Sequence, residues 1–374
     1  MQYRHSVAGR SSLAESMMQV TFCVRSLMSK QLNPVVNVSL SRRSLLAALP
    51  ALGCITHTFA QETAAITVRK INCFEIRVSD PSRTMAFYQD LFGMPVQSRF
   101  GERYCMRIGQ SSQFMIVRPL EVGETPAITY LGYSVENFDV QTQQNALLSK
   151  GFTTIEPPAI SAPGIDFAMS TWVRMRGDTP ELFFADARGL IVQLSDLENC
   201  GGNGALGSVC GALEAAPIGL FKLSEINHFT VFGNDGAGAN TFYQKIFGLS
   251  VQAYQGPTSP VTGIGDGKQF VMYAGPFAGA ENVPSSINHG CFNMEGFVVD
   301  DILAKLTTYG LTARGDGEVG PMMHYVSLRQ PARGGAEGGT PEVYFTDPDG
   351  ILMQLQDITY CGGGGYLGNE CEQA

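Results

Sequence analysis

The chain reads as an α+β protein built from a tandem repeat, two copies of one unit with each copy divided again into two smaller modules. Three observations predict this. Cys200-Gly-Gly-Asn-Gly-Ala-Leu-Gly-Ser-Val-Cys210 is nearly restated 161 residues later as Cys361-Gly-Gly-Gly-Gly-Tyr-Leu-Gly-Asn-Glu-Cys371. At the same offset Gln193 falls on Gln354, and Glu181-Leu-Phe-Phe-Ala-Asp186 falls on Glu342-Val-Tyr-Phe-Thr-Asp347. Within each copy, a strand-like alternation followed by a helix-period stretch occurs twice.

The elements follow in order. Each copy opens on alternating segments, Ile71 to Val78 and Ile226 to Phe232, in which every second residue shares a face, so Cys73 matches His228. A helix ending at a glycine stop comes next: Arg83 to Gly93 and Asn240 to Gly248, both containing Phe-Tyr-Gln. Short strands run through Gln113–Val117 and Gln269–Tyr273. The second module starts at Ile128 or Ile287, where Tyr130 matches His289, and leads into a helix ending near Gly151 or Gly310. Three strands close it, the last two joined by Asp186-Ala-Arg-Gly189 or Asp347-Pro-Asp-Gly350. The glycine-rich 332–340 stretch is an insertion beside the last hairpin. The boundaries read as a leader at 1–60, a first domain at 66–210 and a second at 221–374.

Composition narrows the function. The chain has 374 residues, 44% hydrophobic and 16% charged, enough for two domains with ordinary cores. Six of the 25 Lys and Arg residues but only one acid lie in the first 60 residues, which leaves the remainder at −14. An acidic body disfavours nucleic acid and anionic membrane surfaces, so a small-molecule ligand is the expected partner. A homodimer stays open.

The basic leader, Ser41-Arg42-Arg43-Ser44-Leu45-Leu46 followed by an apolar run to Ala60, resembles a twin-arginine signal and implies export, to the periplasm in a bacterium. The run is broken by Pro50 and Gly53 and falls short of the ~20 residues of a comfortable membrane span. Ala51-Leu52-Gly53-Cys54 offers the alternative of a lipoprotein anchor. In an oxidising compartment Cys200 with Cys210, and Cys361 with Cys371, are expected to be disulfides, because neither clip has the spacing of a zinc or redox site.

The helix motif Phe-Tyr-x-x-(Leu/Ile)-Phe-Gly, the strands around it and the closing run from Tyr344 through Asp347-Pro-Asp-Gly350 to Gln354 resemble the vicinal oxygen chelate superfamily over roughly residues 68 to 359. That group includes glyoxalases, bleomycin- and fosfomycin-resistance proteins and extradiol dioxygenases. The resemblance implies paired βαβββ modules curled into a cup, with metal ligands pointing inward. It places metal-binding histidines where His228 and His289 stand, and a third ligand, usually Glu, where this chain has Gln354.

Two neutral imidazoles leave positions open for substrate, which suits Fe, Mn or Zn, whereas an amide in place of a carboxylate leaves the ion's charge uncompensated. His324 is a candidate general acid or base. Tyr344 is a candidate donor to a substrate oxygen. Cys291 shares a strand face with His289, and Glu75 and Arg77 share that of Cys73. Gly335, Ala336 and Glu337 stand where the extradiol signature carries a further His. Two functions follow from the resemblance: a metal-dependent enzyme of dioxygenase or glyoxalase type working through the second copy, or a metal-free small-molecule binder of the bleomycin-resistance kind.

Overall fold

The computed structural model describes residues 66–158, 164–211, 218–256, 259–276 and 283–371. The leader, with its arginine pair and Cys54, lies outside them. Among the described residues no helix is long and apolar enough to cross a membrane.

The first copy runs β1 (Val68–Val78), α1 (Pro81–Phe92), β2 (Val96–Phe100), β3 (Arg103–Arg107), β4 (Phe114–Pro119), β5 (Ala127–Val135), α2 (Val140–Ser149), β6 (Thr153–Thr154), β7 (Ser170–Arg176), β8 (Thr179–Ala185) and β9 (Ile191–Ser195). The second repeats it: β10 (Leu223–Phe232), α3 (Gly236–Phe247), β11 (Val251–Tyr254), β12 (Pro260–Gly263), β13 (Phe270–Ala274), β14 (Ser286–Met294), α4 (Val299–Tyr309), β15 (Thr312–Ala313), β16 (Met323–Arg329), β17 (Thr340–Thr346) and β18 (Leu352–Asp357). Each second module carries one two-residue strand, β6 or β15, beyond the three expected. Helices α1 and α3 start earlier than the apolar period suggests, because Asp80 and Asp235 cap them: Asp80 accepts from the N–H groups of Ser82 and Arg83, and Asp235 from that of Gly238. Both stop at glycines in the left-handed region, Gly93 and Gly248.

Each copy forms one nine-stranded sheet, in the orders β2-β3-β4-β1-β5-β9-β8-β7-β6 and β11-β12-β13-β10-β14-β18-β17-β16-β15. The modules join where their first strands pair antiparallel, β1 with β5 and β10 with β14. Alternation then assigns the faces. Phe74, Ile76, Phe229 and Val231 turn to a core shared by both copies, where the rings of Phe74 and Phe229 meet edge to face at 5.2 Å. Cys73 and His228 turn the other way, into the concave faces.

The copies interlock. Phe92 of α1 packs on Phe345 of β17, and Phe247 of α3 packs on Phe184 of β8, so each copy's first helix covers the other's second module. Ile71 and Ile226 pair with Tyr133 and Phe292 on one side, but on the other the parallel pairing with β4 and β13 begins only at Cys73 and His228. Gln113 donates to the Ile71 carbonyl and accepts from the Ile226 N–H, while Gln269 donates to the Ile226 carbonyl and accepts from the Ile71 N–H. Four buried backbone groups are thus satisfied by two side chains, each serving both copies.

The glycine-rich clips are closed by the disulfides Cys200–Cys210 and Cys361–Cys371. Buried arginines pin them to the sheets. Arg176 reaches the carbonyls of Gly201 and Gly202 and pairs with Glu181; Arg329 donates to the Gly363 carbonyl at 2.8 Å and pairs with Glu342 at 2.9 Å.

Candidate metal centre

The second sheet brings His228, His289 and Gln354 together from three neighbouring strands. His228 on β10 lies in register with Phe270 on one side and Cys291 on the other; His289 on β14 lies opposite Thr230; Gln354 on β18 lies between Cys291 and Tyr344. All three are at most 6% exposed. Aromatic rings hold the imidazoles in place: His228 stacks on Phe270 at 4.2 Å, stands edge-on to His289 at 5.6 Å, and is covered by Tyr360 at 5.7 Å. Tyr344 meets His289 edge-on at 5.3 Å and is itself stacked on Tyr325 at 4.9 Å.

Hydrogen bonds define the tautomers. Asn227 Nδ2 donates to the Tyr360 carbonyl at 2.9 Å, which turns Asn227 Oδ1 to Nδ1 of His228 at 2.7 Å. An amide oxygen only accepts, so the imidazole proton sits on Nδ1 and Nε2 presents a lone pair. Asn288 Oδ1 does the same for Nδ1 of His289, at 2.8 Å. Burial drives His228 well below its usual pKa range, with His289 adding to the shift and Gln354 opposing it; burial takes His289 to about 4. Both rings are neutral at pH 7.

The side chain of Gln354 meets both imidazoles, yet its Nε2 has no partner, so the amide oxygen is the atom turned toward them. Three lone-pair donors therefore converge with no proton to share. In a buried site that arrangement is unfavourable unless a cation sits among them. The donor set fits a divalent ion held by two imidazoles and an amide oxygen, without the carboxylate that the sequence resemblance implies. Among the described residues no cluster of three His, Cys, Asp or Glu side chains is arranged to hold a metal.

Comparison with solved structures matches this architecture. A Mn(II)-bound glyoxalase from Novosphingobium aromaticivorans aligns over 78% of this chain and 82% of its own, at 15% identity and a TM-score of 0.53. A catechol 2,3-dioxygenase aligns over 80% and 88% at 15% identity and 0.51. The homoprotocatechuate 2,3-dioxygenase from Brevibacterium fuscum, in complex with 3,4-dihydroxyphenylacetate, aligns over 79% and 82% at 14% identity and 0.52. The chain has the vicinal oxygen chelate fold. No family model matches the sequence, and no curated protein does.

Within the vicinal oxygen chelate fold the remaining candidates sort by face. Tyr344 lies in the second cup, with its hydroxyl donated to Glu342 at 3.1 Å. His324 does not join it. Its backbone lies opposite Phe345, a core residue, and its Nε2 meets Thr307 of α4 at 2.8 Å, so it belongs to the convex, helix-covered side. Tyr325, one residue on, takes the cup position instead. Cys291 is buried with its thiol pKa pushed well up by desolvation, and it remains protonated.

Sequence reasoning missed Asn227, Asn288, Tyr325, Glu342 and Tyr360. A signal existed for the first two, since Asn-His occurs twice, in Ile226-Asn-His-Phe and Ile287-Asn-His-Gly. The first cup shows the same scaffold without the imidazoles. Asn72 Nδ2 donates to the Asn199 carbonyl, as Asn227 does to that of Tyr360, but Asn72 Oδ1 has no partner because Cys73 offers it no ring nitrogen.

Proposed function

We propose that the second copy is a metal-dependent enzyme of vicinal oxygen chelate type, its divalent ion held by Nε2 of His228, Nε2 of His289 and the amide oxygen of Gln354. The carrying observation is the convergence of three proton-free donors whose tautomers are set by Asn227 and Asn288. An ion bound there supplies Lewis acidity, lowering the pKa of oxygens on a small, oxygen-rich substrate. Dioxygenase-like chemistry heads the readings, with glyoxalase-like proton transfer beside it.

The chain's own groups have separable tasks. Asn227 and Asn288 keep the imidazoles aimed. Tyr344 and Tyr325 form a flat aromatic wall beside His289, suited to a planar substrate. The Tyr344 hydroxyl gives its proton to Glu342, so it would donate to a substrate oxygen only on leaving that carboxylate. Tyr360 and the pinned clip exclude water from His228. The leader and the two disulfides support export, by the twin-arginine route, with the first copy as scaffold.

Metal analysis of protein purified without a His tag tests the reading. About one equivalent of Fe, Mn or Zn, lost in a His228→Ala, His289→Ala variant with unchanged circular dichroism, is expected. A metal-free parent with intact fold overturns it. The second reading, a metal-free binder, draws on the near-complete burial of all three donors. Retention of ligand by the metal-stripped protein favours it.

A further inference from the structure

The first cup has lost its histidines and gained arginines. Arg77, Arg103, Arg118, Arg174 and Arg176 share its concave side with three carboxylates, Glu75, Glu124 and Glu181. Glu75, fully buried, takes Arg103 and Arg118 and the Thr129 hydroxyl; Glu124 takes Arg77 and Arg118; Glu181 takes Arg174 and Arg176. The cup therefore holds two positive charges in excess inside a strongly acidic body. The second cup has nothing comparable. Thr230, Phe232, Ala274 and Ser327 stand where the first has Glu75, Arg77, Arg118 and Arg174, and only the Arg329–Glu342 pair is retained.

A cavity of about 20 Å³ lies within this cluster, lined by Arg103, Arg174, Arg176, Tyr130, Glu181 and Gly201 among others. Tyr130 is 1% exposed and its hydroxyl has no hydrogen-bond partner. Arg174 is fixed beside it, its guanidinium 4.7 Å over the Phe183 ring that packs edge-on against Tyr130. The acceptors available are already engaged: Glu181 by two arginines and the Gln193 oxygen by the Cys73 thiol. Phe100, Cys105, Phe114 and Ile116 make up most of the cavity wall, and the donors that reach it are the guanidiniums of Arg103, Arg174 and Arg176 and the Tyr130 hydroxyl, within a cluster of net positive charge. Water would meet the donors and leave the charge, whereas an anion meets both.

We propose that the first cup binds a small monovalent anion of halide size, coordinated by Arg103, Arg174 and the Tyr130 hydroxyl. The volume selects for size, since about 20 Å³ admits one water-sized occupant. The two cups are then complementary in charge, a cation in the second and an anion in the first.

The test combines bromide and chloride. Crystals soaked in sodium bromide are expected to show an anomalous peak among Arg103, Arg174 and Tyr130. In solution, sodium chloride replacing sodium gluconate at constant ionic strength is expected to raise the melting temperature saturably. Arg174→Gln should shift the chloride midpoint about tenfold or more, as loss of one charge-assisted hydrogen bond requires. Tyr130→Phe, which removes a single oxygen and keeps the ring packing, serves if Arg174→Gln does not fold, and should lower bromide occupancy. No peak in the first cup, peaks at exposed arginines only, or a chloride response unchanged in Tyr130→Phe each overturn the proposal.

Discussion

Cys73 holds in the first sheet the position that His228 holds in the second: each lies in parallel register with a phenylalanine, Phe114 or Phe270, and each faces the glutamine of its last strand. The glutamines, however, meet different chemistry. The Cys73 thiol donates to the Gln193 oxygen at 3.4 Å, so that oxygen is satisfied by a proton. The Gln354 oxygen meets two imidazoles whose protons are on the far side. A residue kept in both copies thus has a structural partner in one and a ligand's surroundings in the other.

Replacing Gln354 with Glu should tighten divalent metal binding by about 10- to 100-fold, because the carboxylate offsets charge that the amide leaves bare. Competition against a chromophoric chelator measures it, and unchanged affinity counts against Gln354 as a ligand.

Asn227→Ala removes the acceptor that holds the His228 proton on Nδ1 and the strut to Tyr360. Metal affinity should fall about 10- to 100-fold, the usual cost of losing such a partner. Asn227→Asp retains the acceptor and should keep most of the affinity. Equal losses in both would show the effect to be structural.

In metal-free protein, stability should fall as pH drops from about 6.5 toward 4. His289 takes up a proton at about 4 when folded but near 6.5 when unfolded, so the unfolded state binds more protons across that window. The loss attributable to this residue is roughly 3 kcal/mol, and burial of His228 acts in the same direction. Urea unfolding at several pH values in the presence of EDTA reads it out, and His289→Gln should flatten the slope.

Asp347 works in the opposite sense. Burial raises its pKa to about 7; one oxygen accepts from the N–H groups of Asp349 and Ile351, and the other has no partner. A raised carboxyl pKa means stability is lost as pH rises from about 4 to 7. Asp347→Asn keeps the accepting oxygen and drops the charge, and should stabilise the protein at pH 8 by about 1–3 kcal/mol. Its counterpart Asp186 accepts from the Tyr243 hydroxyl at 3.1 Å, so Asp186→Asn should gain less.

The repeat made the fold legible, because two copies with matching strands, helices and clips leave little freedom in topology. His228 and His289 were legible as the residues that open the first strands of the two modules. The placement of His324 was not. Period-two alternation through Met323, His324 and Tyr325 puts one neighbour inside and the next outside, and only the register with β17, which sets His324 against Phe345 and Tyr325 against Tyr344, decides which. Tyr360 was hidden for a different reason: its contact with His228 depends on how the clip folds back, and the arginine that holds the clip is far away in sequence.

The reciprocal bonds of Gln113 and Gln269 bear on how the gene can change. Each copy supplies the acceptor for an N–H on the other's opening strand, so a chain cut between the copies leaves the Ile71 and Ile226 N–H groups without partners and exposes the apolar face between them. The half without histidines therefore cannot be deleted even though it lacks the imidazole pair. Its interior, by contrast, is released from the demands of metal ligation. Heredity has one cup held to its chemistry and another, inseparable from it, in which new side chains can be tried.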